Sequence, residues 1–135
     1  MTLMNATAKQ TKATILVVDD QPINIEILNG ILQDHYRVLF ATNGLDALEA
    51  VEEQRPDLIL LDVVMPGVDG YQVCSILQSD PVTQEIPVLF ITSMGDPKYE
   101  SVGMRMGAVD YIIKPIEAGI VLEKVRYHLE KTAVK

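Results

Sequence analysis

Five short apolar runs, each followed by a stretch of helical spacing, constrain this chain more than any other feature. The runs are TILVVD (14–19), RVLFA (37–41), DLILLD (57–62), IPVLFITS (86–93) and VDYIIK (109–114). The first, third and fourth are apolar at consecutive positions, the pattern of strands covered on both faces. Between the runs, Ile27, Leu28, Ile31 and Leu32 recur at helical spacing, as do Leu45, Leu48 and Val51, and then Val121, Leu122, Val125 and Leu129. GYQVCSILQS reads as a helix halted at Asp80-Pro81. PKYESVGMRMGA reads as a weaker helix with Gly107 near its end. Five βα units joined by right-handed crossovers give an α/β fold on an open, doubly wound parallel sheet.

The periodic part runs over residues 14–130. It leaves a polar N-terminal tail (1–13) and a short C-terminal tail (131–135). A chain of 135 residues that is 48% hydrophobic suits one domain with a real core. Its net charge of −8 argues against tracking a nucleic-acid backbone, which rewards Lys and Arg. A single cysteine, Cys74, forbids an internal disulfide and predicts a reducing, cytoplasmic setting. No run has the length of a membrane span, and MTLMNATAKQTKA lacks the apolar segment of a secretory signal.

In doubly wound sheets, ligands sit beyond the carboxyl ends of the strands. The first run ends in Asp19-Asp20, the third in Asp62, the fourth in Thr92-Ser93 and the fifth in Lys114-Pro115. Adjacent carboxylates about 4 Å apart repel by ~1 kcal/mol in water and by more in a protein, so something cationic is expected beside them. Three acids with open positions suit Mg²⁺, whose ligands are oxygens. No His or Cys stands at a strand end, which argues against zinc. A lysine and a hydroxyl beside Mg²⁺ are what a phosphoryl group needs, and Asp62 can accept it as a nucleophile.

VVDDQPIN, LLDVVMPGVDGYQV, FITS and GAVDYIIKP, in this order and spacing, resemble the receiver domain of two-component response regulators. The resemblance spans about residues 14–130. It implies a flavodoxin-like (βα)5 fold with strand order 2-1-3-4-5. Asp62 is then the phosphoacceptor, served by a histidine kinase or a histidine phosphotransfer protein. Mg²⁺ is held by Asp20 with help from Asp19, by Asp62 and by the backbone carbonyl of Val64. Thr92 turns its hydroxyl toward the phosphoryl group, Lys114 pairs with it, and Lys114-Pro115 is a cis peptide. Tyr111 occupies the family's switch position. Met65-Pro66-Gly67 and Gly70 shape the loop after Asp62. Output passes through the face of the fourth helix, fifth strand and fifth helix, where a homodimer would also fit, although no sequence feature demands one. Nucleic acid and membrane are not expected as direct partners.

Two tuning positions, Val64 and Met94, are apolar here and cannot orient an attacking water, so slow self-dephosphorylation is expected. Ser93 stands where the family more often has a small apolar residue, and could alter the rotation of Thr92. DDQPIN and KVRYHLE resemble receivers joined to hybrid kinases or to cyclic-di-nucleotide or phosphatase output domains. Plainer readings stand beside these. Asp19-Asp20 would also cap a following helix, and Tyr111 would also serve as core packing. Cys74 reads as inert core, Met104 and Met106 as packing or a partner-facing surface, and His35 and His128 as helical residues remote from the acidic edge. An Mg²⁺-dependent phosphohydrolase would share the aspartyl chemistry. It would carry an acid where Val64 stands.

Overall fold

A computed structural model describes residues 12–93 and 102–133. Strands β1 (Thr14–Val18), β2 (Arg37–Ala41), β3 (Leu58–Asp62), β4 (Val88–Thr92) and β5 (Asp110–Ile113) form one parallel sheet in the order β2-β1-β3-β4-β5. The helices are α1 (Pro22–Leu32), α2 (Gly44–Gln54), α3 (Gly70–Gln78), a helical turn α4 at residues 102–105, and α5 (Ala118–Ala133). The expected (βα)5 doubly wound sheet and its strand order are therefore observed. α5 continues three residues past the expected boundary at Glu130.

The three central strands are buried at every position, because alternate side chains feed two different cores. Ile15, Val17, Leu58, Leu60 and Ile91 pack with Leu28 and Leu32 of α1 and with Val121 and Val125 of α5. Leu16, Val18, Ile59, Leu61 and Phe90 pack on the other face with Val51 of α2 and with Val73, Cys74 and Leu77 of α3. A polar residue in the middle of either set would have no solvated side to face, so no alternation can survive there. The edge strands β2 and β5 are only partly covered.

In each of two helical stripes one expected residue faces outward. Leu28 and Leu32 are buried on α1, but Ile27 is 42% exposed. On α2 the buried residues are Gly44, Ala47 and Val51, while Leu45 is 67% exposed. The reason is close approach. A Cβ added at Gly44 would come within 2.5 Å of the Val68 carbonyl oxygen, so α2 buries its small residues and turns a larger one outward.

The helix starts on the other face are fixed locally. Asn43 caps α2 by accepting from the Asp46 N–H, at 2.8 Å. Asp69 and Gln72 form a reciprocal capping box at the start of α3. That box seats α3 directly after the loop that leaves β3.

Candidate functional site

All five strands run parallel, so their carboxyl ends share one edge. Asp19 follows β1, Asp62 closes β3, Thr92 closes β4 and Lys114 follows β5. Asp19 is 1% exposed and Asp62 is 5% exposed. Asp19, Asp20 and Asp62 each offer a carboxylate oxygen within 4.8 Å of the others. The Lys114 ammonium lies 3.6 Å from Asp19 Oδ2 and 3.7 Å from Asp62 Oδ1.

Neither acid caps α1. The cap position is Gln21, with no side-chain cap, and Pro22 opens the helix. Asp19 Oδ1 instead accepts the Gln21 N–H at 2.9 Å, a tight turn that pins the carboxylate at the sheet edge. Its other oxygen, Oδ2, is buried and accepts no hydrogen bond from the described residues. A buried, ionisable oxygen without a donor is costly unless a cation compensates it. One ammonium, at salt-bridge rather than hydrogen-bond distance, serves two of the three carboxylates. The donor set is all oxygen, and it fits a hard divalent cation such as Mg²⁺.

The same crowding acts on Asp62. Burial and the Asp19 carboxylate push its pKa up to about 6, with Asp20 adding to the rise. Lys114 and a hydrogen bond from the Val64 N–H act in the other direction. Added positive charge at this edge favours the Asp62 carboxylate, the form that can act as a nucleophile.

The loop after β3 is shaped by two glycines. Gly67 has φ +78°, and a Cβ on Gly70 would meet the Asp62 carbonyl oxygen at 2.3 Å. The Gly70 N–H donates to the Val63 carbonyl at 3.0 Å, folding the loop back onto the end of β3. Val64, which stands on this loop, is 63% exposed. Lys114-Pro115 is cis, as expected, and the Lys114 N–H donates to the Thr92 carbonyl at 2.8 Å. Thr92 is buried and adjoins Ile91, which pairs with Asp62. Tyr111 pairs with Phe90 and lines a small cavity together with Thr92. Ser93 is exposed, and Met94 lies outside the described residues.

One cluster was not legible as such in the sequence. His128 is 6% exposed, and its Nε2 lies 2.9 Å from Asp110 Oδ2. The Lys124 ammonium donates to Asp110 Oδ1 and to the Tyr111 carbonyl, each at 2.9 Å. Hydrogen bonds from Lys124, His128 and the Tyr111 N–H hold the Asp110 carboxyl below its ordinary pKa, against the effect of its burial. The signal was present, because His128 continues the Val121–Val125 stripe and a histidine there must be buried. Cys74 is buried, and burial pushes its thiol up to about 11, so it is inert as expected.

A profile of the response regulator receiver domain matches residues 15–126. The chain belongs to that family, the signalling switch of two-component systems. It is 39% identical over 125 residues to the "Probable cyclic di-GMP phosphodiesterase" of Vibrio cholerae, covering 93% of this chain and 28% of that protein. It is 37% identical over 114 residues to the protein PilH of Pseudomonas aeruginosa, covering 84% and 94%. Among solved structures, the receiver domain of the sensor histidine kinase PA1611 from Pseudomonas aeruginosa matches with a TM-score of 0.82 and 25% identity. The match covers 89% of this chain and 99% of that one. That receiver holds a magnesium ion in its active-site cleft. The chain spans about a quarter of the length of the first curated relatives it matches.

Proposed function

We propose that Asp62 accepts a phosphoryl group from the phosphohistidine of a histidine kinase or a histidine phosphotransfer protein. The observation that carries this reading is the acidic edge: among the described residues, three carboxylates gather there, one buried oxygen has no donor, and one ammonium reaches two of them. Asp19, Asp20, Asp62 and the Val64 carbonyl would hold Mg²⁺. Once bound, the metal supplies positive charge beside the equatorial phosphoryl oxygens.

The chain's own residues do the rest. An Asp62 carboxylate oxygen attacks phosphorus as the P–N bond of the donor breaks, and the leaving imidazole takes up a proton. Lys114 neutralises a phosphoryl oxygen while keeping its hold on Asp19. The Thr92 hydroxyl takes another oxygen, and this draws on the β4–β5 pair that carries Tyr111. Val64 and Met94 offer no group to orient a hydrolytic water, so the acyl phosphate is long-lived.

The output is carried by the face of α4, β5 and α5, where Met104, Val109, Ile113, Ile120 and Tyr127 are exposed. Its occupant is an output partner, an output domain or a second copy. A cytoplasmic setting goes with this reading and with the single buried thiol. No helix among the described residues is long and apolar enough to cross a membrane.

The test is intact mass after incubation with acetyl phosphate and Mg²⁺. The parent gains one phosphoryl group, whereas Asp62→Asn and an EDTA-treated parent gain none. The gain persists for minutes or longer after the donor is removed. Absence of the gain in a folded parent refutes phosphoacceptor chemistry with small donors, and a lifetime of seconds refutes the screening role of Val64 and Met94.

A further inference from the structure

The Lys124 ammonium stands 5.2 Å from the centroid of the Tyr111 ring, in cation–π range. It also takes the Tyr111 carbonyl, while Asp110 takes both that ammonium and the Tyr111 N–H, at 2.7 Å. Both backbone polar groups of Tyr111 and one side of its ring are thus held by a single ion pair. His128 takes the remaining Asp110 oxygen and fixes the carboxylate from the next turn of α5.

Topology makes this contact conditional on where the ring points. Tyr111 shares its sheet face with Phe90 and Thr92. α5 packs on the opposite face, through Val121 and Val125 against Ile91 and Ile112. β5 is an edge strand, so the ring meets Lys124 only around the free edge of the sheet. A ring that swings further toward Thr92, into the cavity the two residues line, moves away from α5 and gives the contact up. An interaction made in one orientation and lost in the other biases the equilibrium between them.

We infer that Lys124, braced by Asp110, is a positioning residue that holds the Tyr111 ring in its resting position beside α5 and sets the resting balance of the switch. This rests on the reading of Tyr111 as a switch residue. An exposed cation–π contact is expected to change the ratio of the two orientations by about two- to five-fold. The bond from Lys124 to the Tyr111 carbonyl does not depend on the ring, so only the ring contact contributes to the bias.

The experiment is fluorine NMR on the whole chain labelled with 3-fluorotyrosine. The Tyr111 signal is assigned by its loss in Tyr111→Phe. It is followed in the parent, Lys124→Met and Lys124→Arg, before and after phosphorylation with acetyl phosphate and Mg²⁺. In the parent the signal moves on phosphorylation. In resting Lys124→Met it is displaced toward the phosphorylated position by a two- to five-fold change in population, and the phosphorylation rate rises by a similar factor. In Lys124→Arg, which keeps a cation over the ring, it stays at the parent position. Lys124 is partly exposed, so these variants keep the fold. A parent signal that moves on phosphorylation but is indifferent to Lys124→Met overturns the positioning role. A parent signal that does not move on phosphorylation overturns the switch reading and this inference with it.

Discussion

At the scale of single residues, the site is governed by like charges held close together out of water. Asp62 shows the consequence. Its folded pKa, about 6, lies above the ordinary value of 3.8, so the native state binds this proton more tightly than the unfolded chain does. That contribution is present at acid pH and is lost as pH rises from about 4 to about 6. Above that range, without metal, the ionised carboxylate destabilises the fold by ~1–3 kcal/mol. Asp62→Asn is therefore expected to be more stable than the parent at pH 7.5 in EDTA, with the difference shrinking toward pH 4. Urea midpoints at the two pH values check this, and an equal effect at both would contradict it. Asp110 illustrates the opposite arrangement: hydrogen bonds from Lys124, His128 and the Tyr111 N–H outweigh its burial and depress its pKa.

At the scale of elements, the placement of the site depends on how closely helices and loops approach the sheet. Gly70 begins α3 against the backbone of Asp62, where a Cβ has no room. Gly70→Ala is expected to cost ~2 kcal/mol or more and to slow the proposed phosphorylation, because α3 must back away from Asp62. Leu45 is the contrasting case. It is the larger apolar residue at the start of α2, yet it faces solvent, and Leu45→Lys is expected to change stability by no more than ~0.5 kcal/mol. Thermal melts of the two variants, with acetyl phosphate labelling of the first, check both. Hydrophobic spacing marked α2 correctly as a helix and placed Val51 and Leu48 on its packed face, but misplaced Leu45. Gly44 and Ala47 complete the buried face, and a count of large apolar residues passes over them.

For the whole molecule, a cation held at the carboxyl edge would couple stability to a ligand. A cation that binds the folded acidic edge and not the unfolded chain stabilises the fold by mass action, by ~2.7 kcal/mol at a hundred times its dissociation constant. Mg²⁺ is expected to raise the melting temperature of the parent at pH 7.5. The rise should weaken as pH falls through about 6, where Asp62 takes up its proton, and it should vanish in Asp20→Asn/Asp62→Asn. Calorimetry with and without EDTA checks this, and a Mg²⁺ response unchanged in the double variant would contradict it. The two cores make the edge rigid enough for this, since every residue of the three central strands is buried.

The sequence by itself determined the class of the fold and the addresses of Asp19, Asp20, Asp62, Thr92 and Lys114. Short apolar runs that alternate with helical spacing read as strands of a covered parallel sheet, and parallel strands bring their last residues to one edge. Only the tertiary structure decided what these residues do to one another. It showed that Asp19 turns into the sheet edge rather than capping α1, that one of its oxygens has no donor among the described residues, and that one ammonium is shared by Asp19 and Asp62. It also decided that Asp110, Lys124 and His128 meet around Tyr111. Such facts are distances between residues far apart along the chain. Periodicity reports which face a residue takes, but not which partner it meets there.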